Sequence, residues 1–193
     1  MYGEGRNIRY FVGLGLLIVL LFVVIFLIIS HGGNDNKVAE TKRELTSYVD
    51  DSDVTITQTM ISPITAAQTH NQLEISVTNS GTNADVSTGY DGNVTASRSY
   101  PMSNASFGEF LNSLERAGFT KGDTSEELKN DQGYCPTGFR YVYTIREGAK
   151  EVQRFWATGC GGTRSYKGNL NLTINLFRAQ VPDYGDLVNN TSL

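Results

Sequence analysis

Residues Phe139–Thr158 read FRYVYTIREGAKEVQRFWAT. Phe139, Tyr141, Tyr143 and Ile145 alternate with Arg140, Val142, Thr144 and Arg146, the period-two pattern of a strand with one aromatic face. Glu147-Gly-Ala-Lys150 turns the chain, and Val152 to Thr158 returns it with Trp156. So short a connection makes the two strands antiparallel, since a parallel pair needs a crossover of a dozen or more residues. The two cysteines of the chain flank this hairpin: Cys135 lies just before it and Cys160 just after. Folding at Gly148 sets them nearly opposite, so a disulfide would close the base of the hairpin. Closing a loop of that length is worth roughly 3.5 kcal/mol in the chain-entropy picture. Disulfides persist in oxidising compartments, which places this part of the chain outside the cytoplasm. Redox or metal chemistry fits less well. The pair is not CxxC, a thiol nucleophile needs a positioned base, and two Cys with one His match no zinc spacing.

Outward from the hairpin, the pattern repeats. Val54 to Met60 alternates branched apolar residues with Thr, and Leu73-Glu-Ile75-Ser-Val77 alternates again before the break Asn79-Ser-Gly81-Thr-Asn83. Ala84 to Tyr90 and Val94 to Tyr100 flank Asp91-Gly92, a hairpin signal because both turn residues need positive φ. A helix is predicted next. Phe107, Phe110, Leu111, Leu114 and Ala117 draw one apolar stripe, Ser106 with Glu109 makes a capping box, and Gly118 supplies a left-handed exit that lets Phe119 fold back. Lys121–Gly133, KGDTSEELKNDQG, has no apolar face and is expected to be an exposed loop. Leu170, Leu172, Ile174 and Leu176 alternate like a strand, whereas Leu170, Ile174, Phe177 and Val181 share a helical face. Asn169 before and Pro182 after are a helix start and stop, so a helix is predicted. The expected fold class is α+β: an N-terminal transmembrane helix, then one antiparallel sheet domain over residues 54–184. Two helices pack on that sheet through Phe107, Phe110 and Leu114 and through Ile174 and Phe177. Residues 185–193 are expected to be a loose tail.

Phe11 to Ile29, FVGLGLLIVLLFVVIFLII, carries no charge. As a helix at about 1.5 Å per residue it would be roughly 28 Å long, matching the hydrocarbon core of a bilayer. A signal peptide would have an apolar centre of about 7–15 residues. Ser30-His31-Gly32 offers a small-x-small cleavage site, and the absence of a following Cys excludes a lipoprotein anchor. The organisation read from this is a cytoplasmic tail at 1–9, a signal-anchor span at 10–30 and a polar linker at 31–53. Arg6 and Arg9 before the span balance Lys37, Lys42 and Arg43 after it, so the positive-inside rule does not choose an orientation. The cysteines choose it, placing the domain outside. The partners expected are the lipid bilayer, through this helix, and another envelope or extracellular protein. A net charge of −4 argues against nucleic acid, whose phosphates need clustered Lys and Arg.

The residues nominate no catalytic, cofactor or metal set. His70, in AAQTHNQ, is the sole histidine after the linker and is read as a surface residue without a partner. Asp50, Asp51 and Asp53 lack the Gly and distal Glu of a calcium loop. Cys160-Gly161-Gly162-Thr163 lacks the Lys and following helix of a phosphate loop. Asn93, Asn104, Asn171, Asn189 and Asn190 satisfy the N-x-Ser/Thr pattern, which matters only in a glycosylating host. The site residues named are therefore the cysteine pair, Cys135 and Cys160.

Three segments carry a family likeness: GYDGNVTASRSYP (Gly89–Pro101), FLNSLERAGFTKG (Phe110–Gly122) and CGGTRSYKGNLNLTINLFRAQVPDY (Cys160–Tyr184). With the N-terminal apolar run, they resemble small single-pass membrane-anchored proteins of Saccharibacteria-type bacteria, a family that implies no activity. A looser likeness is to secreted protease inhibitors of the subtilisin-inhibitor type, whose second disulfide has no counterpart here. Three functional readings follow: a binding or structural module of the cell envelope, a protease-inhibitor-like module in which an exposed loop such as Lys121–Gly133 is rigid and protruding, and a hydrolase with dispersed residues, whose mark would be a deep pocket holding His70 with an acid and a Ser nearby.

Overall fold

The computed structural model describes residues 19–21, 38–40, 43–189, 191 and 193. The chain divides into two compact units, Met1–Asn36 and Lys37–Leu193. Of the first, Val19, Leu20 and Leu21 are described; they are helical and exposed. Apart from these three, the span expected over 10–30 lies outside the described residues. Among the described residues no helix is long and apolar enough to cross a membrane.

The second unit is built on six antiparallel strands, β2 (Val54–Ile61), β3 (Asn71–Val77), β4 (Gly81–Thr88), β5 (Asn93–Pro101), β7 (Arg140–Glu147) and β8 (Lys150–Thr158), in the order β5-β4-β3-β2-β7-β8. Each hairpin expected from the sequence is a neighbouring pair. The non-local pairing is β2 with β7, which makes the opening strand the sheet's interior. Register explains why: Ile56 faces both Val77 and Ile145, Gln58 faces Ile75 and Tyr143, and Met60 faces Leu73 and Tyr141. Directly opposed residues share a face, so the period-two patterns of three strands combine into one surface, apolar apart from the buried Gln58.

Helices α1 (Asn104–Ala117) and α2 (Leu170–Arg178) cover that surface. Phe107, Leu111 and Leu114 are fully buried, and the Phe110 ring meets Phe177 edge-on at 5.3 Å. Gly118 takes φ 74° and Phe119 N–H returns to Leu114 O at 3.0 Å, the expected left-handed exit. The start of α1 differs from expectation. Ser103, not Ser106, is the cap: its Oγ accepts the Ser106 N–H at 3.1 Å. Nothing in Asn104-Ala105 opposes helix, so the helix runs back to the first hydroxyl after Pro101. Likewise the break before β4 ends at Ser80, because Thr78 N–H bonds Gly81 O at 2.9 Å and Gly81 already belongs to the strand.

Three segments read as loose are packed. Residues 43–53, expected as linker, belong to the domain: Leu45 and Tyr48 are buried in the core within a 3-10 turn. Arg43 lies 3.9 Å above the Tyr48 ring, and Tyr48 donates to Glu147 Oε1 at 2.8 Å. Ahead of that turn, β1 (Val38–Glu40) pairs with β6 (Lys121–Asp123). That pairing also corrects part of the Lys121–Gly133 loop: Gly122, Asp123 and Asp131 are buried, while residues 124–127 are exposed as expected. The loop is held by polar groups instead of apolar ones. Trp156 Nε1 donates to Leu128 O at 2.6 Å, Arg154 donates to Asp131 Oδ1 at 2.6 Å, and Arg140 adds a contact to Asp131 at 3.4 Å. Finally, helix α3 (Tyr184–Val188) replaces the loose tail at its start and buries Leu187.

Candidate functional site

The cysteine pair stands where the hairpin places it. Cys135 and Cys160 are joined in a disulfide with their Cα atoms 5.9 Å apart. The pairing needs unusual backbone around it: Cys135 has φ 52°, and Gly161 and Gly162 have φ 72° and 79°. The glycines after Cys160 thus serve the turn beside the bridge. The bridge anchors the end of the 124–139 segment, and the Tyr134 ring lies 4.8 Å from the Trp156 ring.

His70 is not the lone surface residue expected. It is 5% exposed, and its ring stacks on Tyr90 at 4.2 Å with 13° between planes. Its Nδ1 lies 3.2 Å from Pro63 O and 3.3 Å from Ser62 Oγ. Ser62 Oγ in turn accepts the Asn71 N–H at 2.9 Å, and Tyr90 OH donates to Thr65 O at 2.7 Å. The proximity of Ser and His has the outline of a nucleophile and base. Here, however, Nδ1 faces a carbonyl acceptor, Ser62 is committed to a backbone amide, and no carboxylate is among the contacts of His70 in the described residues. The cluster locks the β2–β3 loop to the β4–β5 turn. Sequence gave no sign of it, because the stacking partner comes from the next hairpin.

A cavity of about 670 Å³ opens on the core side of the sheet between the ends of β3, β4 and β5 and helix α3. Its wall includes Asn71, Thr88, Thr95, Arg98, Asp186 and Thr191 over a floor with Val86, Ala96 and Leu187. Thr88 Oγ1 donates to Asn71 Oδ1 at 2.9 Å, Thr95 Oγ1 to Val86 O at 3.2 Å and Thr191 Oγ1 to Val188 O at 2.8 Å. Each hydroxyl so oriented keeps lone pairs for a further donor. Arg98 uses Nε on Asp183 Oδ2 at 3.4 Å and one terminal nitrogen on Ser97 O at 2.9 Å, leaving Nη2 without a partner among the described residues. Tyr100 also bonds Asp183, so two β5 side chains hold the start of α3 and with it the cavity wall. Volume and mixed lining are those of a small-molecule pocket, about 300–1,000 Å³ with a few polar groups over apolar surface.

Sequence reasoning named none of these residues, yet a signal was there. Asn71 is in phase with Leu73 and Ile75, Thr88 with Val86, and Arg98 with Ala96, all on the face that packs against the helices. Polar residues at core-phase positions mark either an error or a function. The bulge between Val86 and Ser87 hides the phase of β5 from a simple alternation. No protein-family model and no curated protein matches the chain.

Proposed function

We propose that this chain is a membrane-anchored binding module displayed outside the cytoplasm, with the β3–β4–β5/α3 cavity as its ligand site. The observation that carries the reading is the polar lining of that cavity: Asn71, Thr88 and Arg98 in phase with the apolar positions of their strands, joined by Thr95 at the bulge. Threonine hydroxyls, a side-chain amide, one guanidinium and one carboxylate alternate donors with acceptors over small apolar surface. That chemistry suits a neutral polyhydroxylated ligand, a saccharide of the envelope. The uncharged run at 11–29 supports an anchor, and the disulfide supports an oxidising location. The loop of the protease-inhibitor reading, Lys121–Gly133, is fastened to the sheet by Trp156 and Arg154 and exposed over residues 124–127, but the polar cavity favours a small ligand.

The test uses the full-length protein in detergent micelles, titrated calorimetrically with oligomers of glucose, mannose and N-acetylglucosamine. At least one series should bind saturably, and Arg98→Ala should weaken it about tenfold or more, since a hydrogen bond to a charged group is worth about 1.5–3 kcal/mol. Failure of all three series to bind, or affinity indifferent to both Arg98→Ala and Thr88→Val, would overturn the reading.

A further inference from the structure

A second cavity, about 280 Å³, lies between β6, the Glu126–Leu128 3-10 turn and β8, and is lined by Asp123, Thr124, Leu128, Lys129, Glu151 and Arg154. Asp123 is 4% exposed. Its backbone is fixed from two sides, by the pairing of Val38 with Asp123 and by its N–H to Ser165 O at 2.7 Å. One carboxylate oxygen, Oδ1, accepts the Ser125 N–H at 3.0 Å. The other, Oδ2, is buried with no hydrogen-bond partner. The bonds from Ser125 hold the carboxyl below its ordinary range, so it carries its charge at neutral pH. A buried ionised oxygen left unmatched is rare in folded proteins and costs more than a neutral one.

The other charges at the cavity do not answer it. Lys129 Nζ is taken by Glu126, and Arg154 by Asp131 and by Lys129 O. Lys167 acts on Asp123 through its field without an ion pair. Glu151, on β8, has no hydrogen bond or ion pair among the described residues. Both cations are therefore matched by acceptors outside the cavity's two acids, while neither Asp123 nor Glu151 has an ion-pair partner among the described residues and Asp123 Oδ2 has no hydrogen bond. We infer that this cavity binds an aliphatic amine, its ammonium group between Asp123 and Glu151 and its methylene stem along Leu128. An ammonium offers three donors in a compact charge, and a methylene chain lies readily on apolar surface. A divalent metal is the poorer match: calcium takes six to eight oxygen ligands, and no group of three or more acidic, His or Cys side chains gathers here among the described residues. The amine can come from a free diamine or from a lysine side chain.

The full-length protein in micelles is titrated with 1,5-diaminopentane, with Nα-acetyl-lysine amide, with calcium, and with 1-pentanol as the uncharged analogue, all at constant ionic strength. Saturable binding of either amine, absent for pentanol, is expected. Asp123→Asn should weaken it tenfold or more. Glu151→Gln, an exposed change, should do so with the melting temperature unaltered. Binding of both amines assigns the site to any alkylammonium, and binding of the lysine derivative alone assigns it to a lysine side chain. Calcium binding without amine binding, amines no different from sodium chloride, or full affinity in Glu151→Gln would overturn the inference. Arg98→Ala should leave amine binding untouched, which separates this result from the saccharide test.

Discussion

At Gly138 a side chain has nowhere to go. A Cβ there would stand 2.5 Å from Cys135 Sγ and 2.8 Å from Cys160 Sγ, so alanine can enter only by moving the bridge. Gly138→Ala should therefore reproduce most of the loss caused by removing both cysteines, about 3.5 kcal/mol. Calorimetric melting with thiol labelling of non-reduced protein checks this; a fully oxidised, equally stable variant would contradict it. Tyr166 offers a pH counterpart. It is buried, its hydroxyl meets Thr173 Oγ1 at 2.6 Å, and burial pushes its pKa from 10.0 up to about 12. The neutral form is thus favoured more in the folded chain than in the unfolded one. Its contribution to stability is complete below pH 10 and disappears as pH rises towards 12. In Tyr166→Phe the fall in unfolding free energy over that window should be shallower; an unchanged slope would assign the alkaline loss elsewhere, Tyr143 being shifted the same way by burial.

Among the elements, helix α1 separates two serines that the sequence leaves equivalent. Ser103 is the cap and Ser106 supplies the bonded N–H. Ser103→Ala should cost about 1 kcal/mol, read as a lower urea midpoint at constant slope, whereas Ser106→Ala should cost much less. Equal effects would restore the capping box with Glu109. The 124–139 segment teaches the same lesson in a different chemistry. It has no apolar stripe, yet Asp131, with its side chain 10% exposed, draws in Arg140 and Arg154. A shared carboxylate here takes the fastening role that a buried apolar side chain has elsewhere.

For the molecule as a whole, the corrected boundary has a measurable consequence. Leu45 and Tyr48 are part of the core, and β1 pairs with β6. Protease added to intact cells should therefore leave a resistant fragment beginning near residues 37–43, and not near 54. Trimming to 54 would contradict the packing of Leu45. Protection of the chain until the membrane is lysed would contradict the proposed placement outside the cytoplasm.

Much of the fold was legible because its signals are local. Alternation in Val54–Met60, Leu73–Val77 and Phe139–Ile145, the Asp91-Gly92 and Gly148 turns, the apolar stripe of α1 and the Asn169 cap each reside in a few consecutive residues. The cysteine pairing belongs with them, since one hairpin sets both ends. Tertiary structure alone decided the strand order, because the β2–β7 pairing joins Ile61 to Arg140 and Val54 to Glu147, far apart in the chain, and leaves no local trace. It also decided that Leu45 and Tyr48 are core, two apolar anchors being too few for a periodic signal. His70 acquired Tyr90, and Asp131 its two arginines, from other hairpins. Both cavities arise in the same way. Arg98 meets Asp183 at the start of α3, and Asp123 lines one cavity with Glu151 and Arg154 of β8; the physics that places a polar group in a pocket acts across space and not along the chain.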